Sequence, residues 1–308
     1  TGATRSPTPP PGRQPIRGLP ARAPEAGREV SLKQVGRRVT GLTNHQLAAG
    51  KGTYVNDIVL PDMAFMAFLR SPYAHARIRS VDTSGAVARA GVIKVFTGED
   101  AVRDMRPIPE AWNTREVGAK GVLWYPIVKD RVRYVGEVVA AVVAEDRWTA
   151  AAALDDIVVD YEELPVVTDP VKAMEPGADL VEPAWGDNLL ITRDWIAGDV
   201  EAAQARADRV ITGTVRSNRI TGVSIEGRGC VAQWDSFHKK LTYWESTQNP
   251  HPLRSFLAET LNMSESAIHV IQPHVGGGFG PKQPPFQEEP MVAWAAMTTG
   301  RPVKWIDE

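Results

Sequence analysis

The sequence predicts a mixed α/β (α+β) protein with more than one domain. Short apolar runs alternate with helix-like segments along most of the chain, a pattern typical of sheets packed against helices. Around residues 137–167 this alternation is nearly explicit, because a continuous apolar run, a capped helix and a second strand follow one another. At 308 residues with 43% hydrophobic content, the chain is long for one compact domain and apolar enough for two cores.

Four parts are predicted along the chain. Residues 1–35 are rich in Pro, Arg, Gly and Ala and hold too few large apolar side chains to fold, so they form a flexible arm. A first domain covers residues 36–167. Residues 168–188 contain three prolines and two glycines and form a linker. Residues 189–308 begin a second domain.

The first domain alternates strands and helices. Strands are predicted at residues 63–71, 76–84, 92–98, 137–145 and 157–167. A short helix is predicted at 84–91, with Ser84 as its N-cap and Gly91 past its end. A second helix at 146–156 is capped by Asp146.

The second domain continues the alternation. Helices are predicted at residues 199–207 (capped by Asp199), 252–262 and 288–300, and strands at 209–217, 240–248, 267–272 and 301–306. The apolar strand Pro302–Ile306 is expected to lie at an open sheet edge with unpaired N–H and C=O groups. The preceding helix is expected to present Val292, Ala295 and Ala296 to a core that covers them only in part. The chain is therefore not expected to be a complete catalytic domain by itself.

Charge and cysteine content exclude several classes of function. A net charge of −2 gives no reason to expect nucleic acid or an anionic membrane as a partner. The single cysteine, Cys230, excludes an intrachain disulfide and a four-cysteine cluster on this chain, and it is expected to be a buried core thiol. No apolar run reaches the roughly 18 residues of a membrane span. A cytoplasmic location is predicted. His251 and His274 show no metal-ligand spacing.

Residues 274–289 contain three consecutive glycines at 276–278. A glycine costs about 0.5–1 kcal/mol relative to alanine inside a regular element, so the run indicates crossing backbones or a ligand against the main chain. An ATPase phosphate loop is excluded because Pro281 and Gln283 break its pattern, and a dinucleotide fingerprint lacks its third glycine. Two interpretations stay open: a plain turn, or a nest of N–H groups facing an anion or oxo group, with Phe279 as an apolar wall.

The residues around this loop are similar to those of a known family. Residues 246–282 combine Ser-Thr-Gln before a helix, then a strand, then Gly-Gly-Gly-Phe-Gly-x-Lys. This signature resembles the molybdenum-cofactor-binding large subunit of the xanthine oxidase family, the molybdenum hydroxylases. Further stretches match in order: residues 50–100 and 132–167, which look like the family's a/b hammerhead domain, and residues 225–235 and 300–305. The resemblance implies a hammerhead domain followed by the incomplete first part of a molybdopterin-binding domain.

The resemblance also implies roles for residues of the motif. Gln248 matches the glutamine whose side-chain amide donates a hydrogen bond to an oxo ligand of molybdenum, a task that suits a neutral donor. Phe279 and Gly280 match the pair beside the metal and the pterin, and Gly277 and Gly278 are secondary cofactor contacts. The family gives molybdenum no direct protein ligand. Its catalytic base is a glutamate that no segment of this chain matches, so no catalytic residue is assigned here.

Two positions after the loop bear on the substrate. Purine-oxidising members of the family carry a glutamate where Gln283 stands. A neutral amide argues against xanthine and leaves aldehydes, other N-heterocycles or another small molecule as substrates. Phe279 and Gln283 are expected to line the substrate pocket. Lys282 is expected to contact the loop or a phosphate, and nothing in the sequence suggests that it is buried.

The implied cofactor is a molybdenum-pterin, either molybdopterin or its cytosine dinucleotide form. The resemblance implies that water supplies the oxygen atom and that electrons leave through [2Fe-2S] clusters and FAD. One cysteine cannot hold such clusters, so they are expected on an iron–sulfur subunit and a flavin subunit. A further chain would carry the rest of the molybdopterin domain. The alternative is a non-catalytic scaffold or assembly subunit related to the hydroxylases.

Overall fold

A computed structural model describes residues 38–110 and 117–307. The predicted arm at residues 1–35 lies outside the described residues. The described residues fall into two units, divided between Lys51 and Gly52. In the first unit, helix α1 covers Asn44–Ala48 and buries none of its side chains.

The second unit is a mixed α/β structure, which confirms the predicted fold class. Its strands and helices follow in chain order: β1 Ala64–Arg70, β2 Ala76–Asp82, α2 Ser84–Ala88, β3 Val92–Thr97, α3 Gly98–Asp104, β4 Arg131–Val132, β5 Val138–Ala144, α4 Arg147–Leu154, β6 Val158–Glu163, α5 Val200–Ala205, β7 Gly229–Asp235, β8 Lys240–Glu245, α6 Pro250–Thr260, β9 Ile268–Ile271, α7 Glu288–Thr299 and β10 Val303–Ile306. None of the helices in the described ranges is long and apolar enough to cross a membrane.

Seven of the ten strands within residues 38–110 and 117–307 form one sheet in the order β3-β5-β1-β10-β7-β8-β9. A second sheet has the order β4-β2-β6. The large sheet runs through both predicted domains without a break, since β1 pairs in parallel with β10 and β10 pairs antiparallel with β7. Within this sheet, every residue of β5 is buried, as its continuous apolar sequence predicts. The predicted domain boundaries themselves remain predictions.

Helix caps explain where several elements begin. The Asp146 carboxylate accepts hydrogen bonds from the N–H groups of Trp148 and Thr149, and the Asp199 carboxylate accepts one from Ala202. Both predicted caps are confirmed. The prediction of Ser84 as an N-cap is wrong, because Ser84 is the first helical residue and Thr83 precedes it without a side-chain cap bond.

The predicted strand at residues 209–217 is wrong. These residues belong to no strand, and Ile211 and Val215 are 85% and 94% exposed. The alternation of apolar and polar residues is real, but a strand also needs a neighbour for its N–H and C=O groups. None of the described strands pairs with this segment.

The predicted open edge at Pro302–Ile306 is also wrong. Strand β10 lies inside the large sheet, between β1 and β7. Helix α7 packs on the same sheet, so Val292, Ala295 and Ala296 are fully buried instead of partly covered. The reason is that β10 pairs with β1, whose residues lie more than two hundred positions earlier in the chain. Such a pairing cannot be predicted from local sequence.

A cluster of carboxylates is buried where β8 ends and α7 begins. Glu245, Glu288 and Glu289 are at most 6% exposed. The Arg228 guanidinium bridges Glu288, at 3.2 Å, and Glu289, while Arg70 contacts Glu288 at 2.7 Å. Burial raises the pKa of the Glu245 carboxyl well above its ordinary value of 4.5, and the neighbouring Glu289 adds to the rise.

Replacing Glu245 with glutamine is expected to stabilise the protein increasingly as pH rises above 4.5. A carboxyl with a raised folded pKa contributes most to stability below its unfolded pKa of 4.5, and that contribution is lost as pH rises toward the folded value. Glutamine does not titrate, so the melting-temperature gain of the variant over wild type should grow from pH 5 to pH 8. The exposed Glu201→Gln is the control, and an equal pH trend in both variants would contradict the expectation.

Candidate functional site

The glycine loop, residues 272–287, connects β9 to α7. Its backbone is left-handed at three of four consecutive positions: φ is +102° at Gly277, +52° at Phe279 and +103° at Gly280. Glycine adopts such angles without strain, whereas a phenylalanine at positive φ is uncommon. The loop therefore holds an unusual conformation that surrounding contacts must maintain.

The protein itself occupies the space beside two of the glycines. A Cβ atom added at Gly276 would lie 2.5 Å from Cβ of Glu226. One added at Gly278 would lie 2.5 Å from Cδ of Gln248. Beside Gly280, a Cβ would meet nothing within 4 Å. Glycine at positions 276 and 278 thus permits close packing within the protein, whereas open space lies beside Gly280.

Gln248 lies directly against this loop. It follows β8, and its main-chain N–H donates a hydrogen bond to the carbonyl oxygen of Lys282 at 2.8 Å. Its side-chain Oε1 accepts a hydrogen bond from the N–H of Gly280 at 2.9 Å. With Oε1 engaged, the two donor hydrogens of Nε2 have no partner among the described residues. The structure therefore brings Gln248, Gly278 and Gly280 together, as the sequence predicts.

Phe279 and Gln283 lie on the outer side of the loop. The Phe279 side chain is 73% exposed. Its ring packs over Gly277, where an added Cβ would be 2.7 Å from Cε2, and its Cβ packs against Gly222. Gln283 is exposed, and its main-chain N–H donates to the carbonyl oxygen of Gly280 at 2.9 Å. Both residues flank the open space beside Gly280.

The expectation that Lys282 is not buried is wrong. Lys282 is only 3% exposed. Its ammonium donates to Oε2 of Glu226 at 3.0 Å and to the hydroxyl oxygen of Ser246 at 2.8 Å. A buried ammonium needs a counter-charge and hydrogen-bond acceptors, and this one has both. Lys282 is therefore part of the interior and does not face a phosphate.

Glu226 is the residue that the sequence reasoning missed. Its Oε2 accepts hydrogen bonds from the hydroxyl of Ser246 at 2.5 Å, the N–H of Gly276 at 2.6 Å and the ammonium of Lys282. Burial alone would raise the pKa of this carboxyl, but the three hydrogen bonds outweigh burial and hold it below 4.5. The available signal was its position in residues 225–235, one of the stretches that resemble the family.

Other sequence candidates lie apart from this arrangement. No group of three or more His, Cys, Asp or Glu in the described ranges could hold a metal ion. The Nδ1 atom of His274 accepts a hydrogen bond from the N–H of Thr53 at 3.1 Å. Cys230 is fully buried, as predicted, and burial raises the pKa of its thiol well above 9.0.

The arrangement suits the binding of a group with oxo or anionic oxygens. It offers the unpartnered Nε2 of Gln248, a main chain free of Cβ atoms at Gly280 and an exposed aromatic ring at Phe279. Such neutral donors can stabilise oxygen atoms without ligating a metal.

Two family models match separate parts of the chain. Residues 181–308 match the model of the molybdopterin cofactor-binding domain. Residues 49–165 match the model of the aldehyde oxidase and xanthine dehydrogenase a/b hammerhead domain.

Several characterised proteins are similar over most of the chain. The nicotine 6-hydroxylase large subunit of Paenarthrobacter nicotinovorans is 37% identical, and the match covers 91% of this chain and 34% of that subunit. The carbon monoxide dehydrogenase large chain of Afipia carboxidovorans is 34% identical, and the match covers 92% of this chain and 36% of that protein. The chain thus spans about a third of the length of these relatives.

Solved structures show the same likeness. Quinoline 2-oxidoreductase from Pseudomonas putida 86 superposes with a TM-score of 0.79 at 34% identity, covering 88% of this chain and 34% of that one. A Cu,Mo-CO dehydrogenase superposes with a TM-score of 0.77 at 35% identity, covering 89% of this chain and 35% of that one.

Proposed function

Because the chain belongs to the xanthine oxidase family of molybdenum hydroxylases, we propose that it forms the cofactor-facing first part of a hydroxylase large subunit. The enzyme would oxidise a small aldehyde or N-heterocycle, with water as the source of oxygen. The single observation that carries the proposal is the contact between Oε1 of Gln248 and the N–H of Gly280. With Oε1 held by Gly280, the Nε2 donors of Gln248 would be free to meet a group bound beside the glycine loop.

The residues present fit a molybdenum-pterin cofactor. Gly280 leaves room for a flat group to approach the main chain, since an added Cβ meets nothing within 4 Å. Gln248 supplies neutral donors for an oxo group, and the exposed ring of Phe279 supplies an apolar wall. When bound, the cofactor would supply the redox chemistry of hydroxylation.

Each loop residue has a distinct part in this proposal. Gln248 would orient the cofactor by donating from Nε2, and it would do so without a titrating proton. Gly278 allows Gln248 to approach the loop, because its missing Cβ is the space that Gln248 fills. Phe279 and Gln283 would contact the substrate, and the neutral amide of Gln283 favours substrates that need no negatively charged partner.

The proposal also requires groups beyond this chain. No segment of this chain matches the motif of the family's base glutamate. Electron transfer would use [2Fe-2S] and FAD groups on partner subunits. One relative is named as subunit gamma of a dehydrogenase complex. A multi-subunit enzyme in the cytoplasm is the arrangement we propose.

A further chain or segment carrying the rest of the molybdopterin domain would cover an exposed apolar region. Between residues 195 and 225 the large apolar side chains are mostly exposed: Trp195 87%, Ile196 89%, Ile211 85%, Val215 94%, Ile220 89%, Val223 84% and Ile225 104%. Exposed apolar patches of this kind mark interaction surfaces. Gly222, in the same region, lies beside Phe279, so the covering element would also close over the glycine loop.

Residues 1–308 produced alone are therefore expected to bind no molybdenum cofactor. Co-production with the segment that covers residues 195–225 should yield a complex containing molybdenum, measured by elemental analysis. A matched control is the same pair with Ile211→Asp, which should weaken assembly because it places a charge on the covered surface. A monomeric 1–308 that binds the cofactor and hydroxylates substrate unaided would contradict the proposed partner. A native complex without molybdenum would support the scaffold alternative.

A further inference from the structure

Glu226 and Lys282 form a buried ion pair behind the glycine loop. The Lys282 side chain is 1% exposed and that of Glu226 is 15% exposed, with 3.0 Å between the ammonium and Oε2. Removing one partner of such a pair leaves an uncompensated buried charge, which is strongly unfavourable. Loss of either residue alone is therefore expected to disturb the loop.

The pair joins three separate segments of the chain. Oε2 of Glu226 accepts from the N–H of Gly276, at the start of the glycine run, and from the hydroxyl of Ser246, two positions before Gln248. Lys282 donates to the same hydroxyl. Glycine at 276 allows this approach, because an added Cβ would lie 2.5 Å from Cβ of Glu226.

The main chain of Lys282 completes the connection to Gln248. Its carbonyl oxygen accepts from the N–H of Gln248 at 2.8 Å and from the hydroxyl of Thr247 at 3.3 Å. A displacement of Lys282 would thus move Gln248 relative to Gly280, whose N–H bonds to the Gln248 side chain. The Oε1 atom of Glu226 is buried without a partner among the described residues, so this carboxylate is held by one oxygen alone.

We infer that Glu226 and Lys282 are positioning residues, which set the distance between Gln248 and the glycine loop and so determine how both meet the cofactor. This inference rests on the proposed function. Neither residue touches the open space beside Gly280; they act through Ser246, Gly276 and the main chain of Lys282.

The test uses the assembled complex and three sets of variants. Glu226→Gln removes the charge and keeps the shape. The double variant Glu226→Leu with Lys282→Met removes both charges. Glu182→Gln is the control, because Glu182 also forms a largely buried ion pair, with Arg131 at 2.9 Å, in a different part of the fold. Molybdenum content, melting temperature and the electron paramagnetic resonance spectrum of Mo(V) after dithionite reduction are measured for each.

A positioning role predicts that changes in the Mo(V) spectrum are not explained by changes in melting temperature. Glu226→Gln should lower molybdenum content by about tenfold, as loss of an outer hydrogen-bonding partner typically does, and should alter the Mo(V) spectrum of the centres that remain. The double variant should recover the melting temperature and retain the altered spectrum. Glu182→Gln should lower the melting temperature alone.

Other outcomes overturn the inference. A double variant with the wild-type spectrum and molybdenum content would show that the pair is only structural. If the double variant does not assemble, Ser246→Ala removes the hydroxyl shared by both residues, and an unchanged spectrum in that variant overturns the inference equally. A wild-type complex without molybdenum would instead reject the proposed function, and this inference with it.

Discussion

Gly280→Val is expected to abolish cofactor binding without unfolding the protein. Gly280 has φ of +103°, a region that β-branched residues avoid, and the space beside it is empty of protein atoms within 4 Å. A valine would be strained and would fill the space that we assign to the pterin and the metal. The molybdenum content of the purified complex should fall below about a tenth of the wild-type value, in line with the larger effects of disturbing a metal environment.

The matched control for this prediction is Gly177→Val. Gly177 has φ of +83°, also has nothing within 4 Å of an added Cβ, and lies in the 168–188 segment. Gly177→Val imposes the same kind of backbone strain away from the glycine loop. The complex that carries Gly177→Val should therefore keep its molybdenum. Full molybdenum content and activity in Gly280→Val would show that no ligand lies against this glycine.

Gln248→Ala is expected to leave the cofactor bound and to lower turnover by about one to two orders of magnitude. One to two orders of magnitude correspond to about 1.4–2.7 kcal/mol, which reaches the lower end of the cost of losing one preorganised donor to a developing charge. The structure gives this donor a fixed direction, because Oε1 of Gln248 is held by the N–H of Gly280 at 2.9 Å. Turnover per bound molybdenum is the quantity to measure, so that any loss of cofactor does not count as a loss of rate.

Gln233→Ala is the control for Gln248→Ala. Gln233 is an exposed glutamine on β7, and the same substitution there removes an amide that faces away from the core. Its turnover should match the wild type. If Gln248→Ala turns over at the wild-type rate with equal molybdenum occupancy, the amide has a role unrelated to the reaction.

Local sequence patterns predicted most of the secondary structure. The continuous apolar run of β5 and the aspartate caps at Asp146 and Asp199 depend on residues close together in the chain. The segment 209–217 has a strand-like pattern as well, but no described strand pairs with it. Pairing partners are a tertiary property, which is also why the interior position of β10 could not be predicted.

The candidate site was predictable where a motif carried it. Ser-Thr-Gln and the glycine run pointed to Gln248 and Gly280, which the structure places in direct contact. Glu226 lies about fifty residues before Gly276, within the family-like stretch 225–235, and nothing in that stretch indicates its contact with the loop. Its importance follows from burial and from three converging hydrogen bonds, neither of which a sequence shows. For the same reason the burial of Lys282 was missed.

The parallel pairing of β1 with β10 has a consequence for synthesis on the ribosome. Ala64 pairs with Val303, so β1 emerges long before its neighbour exists. At a synthesis rate of about 5–20 residues per second, the delay is on the order of ten to fifty seconds. After β5 has emerged and paired with one side of β1, the other side still presents unpaired N–H and C=O groups, a template for wrong pairing between nascent chains. Chaperone occupancy during translation should therefore persist after β5 has emerged and should fall once β10 leaves the exit tunnel.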